Sequence, residues 1–113
     1  MRWPPPPDWP NAETSRRVIS QPHRWHLQEM GQGDTLLLLH GAGGSTHSYR
    51  SLMPLLAQRY RVVAIDLPGQ GFSQLGARHR CGLQAMSEDI ALLCQHEALS
   101  PVAIIGHSAG GAV

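Results

Sequence analysis

The chain has 113 residues, with nine Lys or Arg against eight Asp or Glu and a formal net charge of +1. Acids and bases are interspersed, which excludes the electrostatic footprint of a nucleic-acid or anionic-membrane binder. The length suits one domain and 42% apolar residues can build its core, whereas apolar runs such as Leu36 to Leu39 are far too short to cross a bilayer.

Met1-Arg2-Trp3 leads into four prolines and lacks the apolar core of a signal peptide, so a cytoplasmic protein is expected. The Pro-rich segment cannot pair as a central strand and reads as an extended arm over residues 1–14, with Trp3 and Trp9 placed to pin it. Residues 15–113 then form the domain proper. Arg16 to Ser20 and Arg24 to Met30 read as two strands around a Gln21-Pro22 turn. In the second, Trp25, Leu27 and Glu29 alternate with His26, Gln28 and Met30, the pattern of a half-buried antiparallel strand. Gly31-Gln32-Gly33-Asp34 breaks the chain, and Thr35 to Leu39 is a continuous apolar strand of the buried parallel type.

His40-Gly41-Ala42-Gly43-Gly44-Ser45 is a glycine-rich loop leading to a helix from about Ser51 to Arg59. Leu52, Leu55 and Leu56 supply its apolar stripe, and Pro54 fits it only near the first turn. Arg61 to Ile65 is a third apolar strand, followed by a turn-rich loop from Asp66 to Ser73 and a polar stretch to Gly82. Leu83, Met86, Ile90 and Leu93 recur at three- and four-residue spacing and predict an amphipathic helix over Leu83 to Ala98. Cys81 and Cys94 lie outside any C-x-x-C pattern and read as reduced, partly buried thiols rather than a disulfide or metal site.

Val102 to Ile105 predicts a strand covered on both faces of a parallel sheet, and it runs directly into Gly106-His107-Ser108-Ala109-Gly110. A Gly-x-Ser-x-Gly pattern in that context is a nucleophile elbow. Ser108 then sits on a tight strand-to-helix turn, its hydroxyl raised above the sheet edge where backbone N–H groups can stabilise an oxyanion. The order of elements, a hairpin and then strand-helix-strand-helix-strand, implies a parallel α/β sheet with right-handed crossovers. Val113 falls about one turn into the helix expected after the elbow, so the chain reads as the N-terminal portion of a longer protein.

The glycine loop admits a rival explanation. Gly41-x-Gly43 between a strand and a helix, with Asp66 closing the next strand, imitates a dinucleotide-binding unit. The imitation fails at Thr46, where the third glycine belongs, and leaves the hairpin, the Pro68-Gly69-Gln70-Gly71 loop and the elbow unexplained.

The motifs His-Gly-x-Gly at His40, Asp-x-Pro-Gly-x-Gly-x-Ser at Asp66 and Gly-His-Ser-Ala-Gly at Gly106 resemble those of the α/β-hydrolase superfamily, in this order and at these intervals. The resemblance implies a mostly parallel sheet with an N-terminal antiparallel hairpin. It also implies an oxyanion hole made from the N–H of Ala42 in the loop after the third strand and the N–H of Ala109 after the nucleophile. In the superfamily's strand order, the elbow strand lies at the edge of the sheet formed by this stretch. Asp8-Trp9-Pro10-Asn11, Arg24-Trp25-His26 and Ser45-Thr46-His47-Ser48 are similar to one branch, the magnesium-chelatase accessory proteins of bacteriochlorophyll biosynthesis. Tyr49 departs from it, standing where Trp is usual.

A serine nucleophile needs a histidine base and an acid to orient it. In this superfamily both follow the elbow, so the resemblance implies that they lie beyond Val113. The histidines present read as having other work. His40 braces the oxyanion loop, and His107 is directed away from Ser108. His23, His26, His47, His79 and His96 show no paired metal-ligand spacing and read as loop or surface residues. Asp66 is expected to fix the loop after its strand rather than act as the triad acid. No cofactor or metal is expected.

Two functions follow. One is a serine ester or acyl hydrolase acting on a small-molecule ester or tetrapyrrole-related substrate. The alternative is a non-catalytic accessory protein that handles or delivers a porphyrin, with magnesium-chelatase subunits as partners. A histidine with an acid partner downstream of the elbow discriminates them.

Overall fold

A computed structural model of the chain describes residues 4–20, 23–40, 45–67, 72–73, 83–97 and 99–106. Strands β1 (Ser15–Ser20) and β2 (His23–Met30) pair antiparallel, with Ser15 opposite Gln28 and Ser20 opposite His23. Next come β3 (Thr35–Leu39), a 3-10 turn (Thr46–Tyr49), α1 (Leu52–Leu56), β4 (Arg61–Ile65), α2 (Leu83–His96) and β5 (Ala103–Gly106). The five strands form one sheet in the order β1-β2-β4-β3-β5. β2 is antiparallel to β4, and β3 is parallel to both β4 and β5. The sequence of strands and helices is the expected one; the Gln21-Pro22 turn lies outside the described residues.

All five residues of β3 are buried, as a continuous apolar strand between two layers must be. On one sheet face Trp25, Leu27, Leu37, Val63 and Ile65 pack with Ile90 and Leu93 of α2. On the other, Leu38, Val62 and Ala64 meet Tyr49 and Met53. Each fully buried aliphatic side chain of this kind stabilises the fold by about 1.5–3 kcal/mol.

Three expectations are corrected by the packing. In α1 only Leu56 of the expected stripe packs inward: Met53 is fully buried, whereas Leu52 and Leu55 are 39% and 63% exposed. Met53, Leu56, Ala57 and Tyr60 form the packed row, the i, i+3, i+4, i+7 phase of one helix face. The helix proper is short because its last turn tightens, with the N–H groups of Gln58 and Arg59 reaching back three residues to Leu55 and Leu56. Strand β2 is buried on both faces rather than one, since His26 and Gln28 are as inaccessible as Trp25 and Leu27. The N-terminal segment accounts for this, Gln28 Nε2 donating to the Pro10 carbonyl at 2.9 Å. Strand β5 is not covered on both faces: Val102 and Ile104 are 62% and 59% exposed. It is the outermost strand of the described sheet, with β3 its neighbour.

The link from β2 to β3 needs glycine. Gly31 has φ 83°, and a Cβ there would lie 2.1 Å from the Tyr60 carbonyl oxygen and 2.7 Å from that of Ala57. The end of α1 thus passes directly over this turn, and no side chain fits between them.

Candidate functional site

Parallel register fixes where the loops begin. Leu39 lies opposite Ile65 on one side and opposite Gly106 on the other, so β3, β4 and β5 all end in one row. The segments that follow them leave from the same sheet edge, where open α/β folds carry their ligand sites. Of the residues assigned there from sequence, Ser108, Ala42, Ala109 and His107 lie outside the described residues. What is described is the framework at the roots of these loops.

Asp66, the first residue after β4, is fully buried, and its carboxylate takes three N–H groups. Thr46 N–H donates to Oδ1 at 2.6 Å, Phe72 N–H donates to Oδ2 at 2.8 Å, and His26 Nδ1 lies 2.5 Å from Oδ2. Ser73 completes the knot, donating its hydroxyl to the Asp66 carbonyl at 2.7 Å and accepting the His26 backbone N–H at 2.8 Å. A buried carboxylate survives only with such partners. With both oxygens held by loop amides, Asp66 fixes its loop as expected, and its full burial keeps it from a ribose, which removes the dinucleotide reading.

His26 and His23 correct the expectation of loop or surface roles, because both are fully buried in β2. His23 Nε2 lies 2.7 Å from Asp89 Oδ2 of α2, joining sheet to helix. His26 Nε2 lies 2.8 Å from Ser15 Oγ, so Ser15, His26 and Asp66 are connected in the manner of a serine triad. Here the connection is a crosslink: Gln28 Nε2 also lies 3.2 Å from Ser15 Oγ, and the carboxylate is anchored to two loops. Sequence reasoning missed this pair. The available signal was that His26 and Gln28 share one face of β2, where two polar residues demand buried partners.

His40 is fully buried, and its Nε2 accepts the Leu67 N–H at 2.8 Å, which ties the exit of β3 to the exit of β4. Tyr49 ties β3 to β5. Its hydroxyl donates to the Leu39 carbonyl at 2.6 Å and lies 3.4 Å from the Ile105 carbonyl. Burial pushes its pKa up, which keeps the phenol protonated as a donor. Beside Gly106, a cleft of about 380 Å³ is lined by Ser48, Tyr49, Leu52 and Ile105.

Farther from this edge, Glu29 receives Arg61 at 3.0 Å and Arg16 at 2.9 Å, and Arg16 continues to Glu97. Burial opposes the ionisation of both glutamates, yet the hydrogen bonds (from Arg61 and Arg16 to Glu29, from Arg16 and His96 to Glu97) outweigh it and hold their pKa values below the usual range. Burial raises the pKa of the Cys94 thiol, which keeps it unreactive. Among the described residues no three His, Cys, Asp or Glu side chains are grouped to hold a metal ion, and no helix is long and apolar enough to cross a membrane.

Comparison with known proteins follows the same lines. Residues 34–113 match the family described as the alpha/beta hydrolase fold. The chain is 48% identical over 110 residues to the magnesium-chelatase 30 kDa subunit of Rhodobacter capsulatus, covering 96% of this chain and 39% of that protein. It is 33% identical over 102 residues to a soluble epoxide hydrolase of Corynebacterium sp. (strain C12), covering 88% of this chain and 35% of that one. Among solved structures, Cfl2 from Burkholderia cenocepacia superposes with a TM-score of 0.80 at 32% identity, over 86% of this chain and 33% of its own. The chain therefore spans less than two-fifths of the length of these relatives.

Proposed function

The chain belongs to the α/β-hydrolase fold family, and from that premise we propose that the whole protein is a serine-nucleophile ester or acyl hydrolase. The single observation that supports this reading is the parallel adjacency of β3 and β5, with Leu39 opposite Gly106. Only such neighbours allow the loop carrying Ala42 and the turn carrying Ser108 and Ala109 to share one substrate atom. In this mechanism Ser108 Oγ attacks the substrate carbonyl and a downstream histidine takes the hydroxyl proton. The amides of Ala42 and Ala109 hold the oxyanion, and the leaving group departs with that proton. Water then hydrolyses the acyl-serine by the same route. Residues 1–14 act as an arm on this domain, and the protein works in the cytoplasm. A fluorophosphonate probe should label Ser108 in the whole protein and fail to label a Ser108→Ala variant. Absence of labelling in the wild type defeats the reading.

The 48% identity to a magnesium-chelatase subunit favours a second reading. In it, the protein is an accessory partner of chelatase subunits that handles a porphyrin and does no acyl chemistry. Full in vivo activity of the Ser108→Ala variant in tetrapyrrole synthesis would select this reading over the first.

A further inference from the structure

We propose that Trp9 is a positioning residue of the site, through which the N-terminal arm fixes the roots of two loops. The inference rests on reading Ser108 as the nucleophile.

Thr46 stands where the chain leaves the glycine-rich segment, and it is 1% exposed. Its backbone is held by Asp66, as described above, and its side chain by Trp9, whose Nε1 donates to Thr46 Oγ1 at 3.3 Å. Phe72 is held in the same double way. Its N–H goes to Asp66, and its ring meets the Trp9 ring edge-on at 4.9 Å and 89°. The Trp9 ring also meets His47, at 5.2 Å and 68°. One indole thus joins the chain after the first loop to the chain after the second, while Asp66 joins the same two residues from beneath.

The arm is turned just before Trp9 and anchored to the domain just after it. Trp9 N–H donates to the Pro6 carbonyl at 2.9 Å, Pro10 receives Gln28, and Asn11 Nδ2 donates to the Arg50 carbonyl at 3.3 Å. Asn11 has φ 58°, a left-handed conformation that Asn tolerates, and it starts the 3-10 turn Ala12–Thr14 that leads to β1. The prolines before Trp9 reduce the entropy lost in ordering such a segment. Trp9 belongs to neither apolar cluster of the core. Among the described residues its side-chain hydrogen bond and ring contacts go to Thr46, His47 and Phe72, so this large aromatic side chain serves the loops. Its removal should be felt at the site before it is felt in global stability.

The test uses the whole protein and two readouts, the amide hydrogen exchange of Thr46 and Phe72 and the rate of fluorophosphonate labelling at Ser108. In Trp9→Ala, exchange at both amides should rise about tenfold or more relative to β3 and β4. Labelling should fall by about ten- to a hundredfold, as small misplacements of reacting groups do. Trp9→Phe, which keeps a ring, should recover part of both effects. Should Trp9→Ala fail to fold, Trp9→Phe and Thr46→Val each remove the hydrogen bond while keeping bulk, and exchange should rise about two- to tenfold. Unchanged exchange at Thr46 and Phe72 overturns the inference. So does unchanged labelling in Trp9→Ala when Ser108→Ala abolishes it. If the wild type is not labelled at all, the hydrolase reading fails on its own, and the exchange rates alone decide the role of Trp9.

Discussion

Tyr49 donates its hydroxyl to the carbonyl of Leu39 at 2.6 Å, and with the Ile105 carbonyl 3.4 Å away it closes the gap between two neighbouring strand ends. Tyr49→Phe keeps the ring packing and leaves the buried Leu39 carbonyl without this donor, so the whole protein should lose about 1–3 kcal/mol in urea unfolding. The pH dependence follows from the raised pKa. The phenol's contribution is fully present below the ordinary value of 10.0 and is lost as pH climbs through the folded-state value. Wild type and Tyr49→Phe should therefore converge in stability in strongly alkaline solution. A constant gap there would refute the donor role.

Breaking the Asp66 knot should cost more. Asp66→Asn replaces a carboxylate that faces three N–H donors with an amide that turns its own N–H groups toward some of them. Breaking a buried pair of this kind costs about 3–5 kcal/mol. Chemical denaturation of the whole protein measures it, and a loss under about 1 kcal/mol, the scale of an exposed pair, would show that the knot is not desolvated.

Acid should weaken the Glu29–Arg16–Glu97 network. Both glutamates have folded pKa values below 4.5, so their stabilisation is present above that pH and is lost as pH falls through the folded values. Glu29→Gln should flatten the acid limb of the stability curve below pH 4.5. Because these side chains are partly exposed, added salt should weaken the wild-type effect. Identical acid limbs for both proteins would exclude the network as the cause.

Gly31→Ala should be the most damaging single-methyl change among those described. It combines an unfavourable positive φ with a Cβ 2.1 Å from the Tyr60 carbonyl oxygen. Together these cost about 2–6 kcal/mol. A thermal melt reads the result directly, and an unchanged midpoint would mean that the end of α1 yields freely.

How much of this was legible beforehand depends on what each residue answers to. The apolar runs Thr35–Leu39 and Arg61–Ile65 match their strands end to end, because a strand buried on both faces shows itself by composition alone. Of the expected α1 stripe only Leu56 packs inward, because Leu52 and Leu55 lie off the face that Met53 sets. Met53 sets the phase through the position of the sheet, which no local pattern records. His26 and Gln28 look like a wetted face by periodicity, and become interior only because the N-terminal segment and the loop after Asp66 fold over them. The expected brace at Asp66 was readable from its motif. Its partners Thr46 and His26 were not, since they are joined to it through the fold and not through spacing.

The partnership between His26 and Asp66 spans 40 residues of sequence. Synthesis runs at roughly 5–20 residues per second, so β2 leaves the ribosome about 2–8 s before the strand that completes it. In that interval the hairpin carries a histidine and a glutamine on one side, a tryptophan and a leucine on the other, and no partner for its second edge. β4 then settles between β2 and β3 and closes the gap from both sides at once. The order of emergence thus differs from the order in space, and the most polar part of the future interior is the part that waits longest in water.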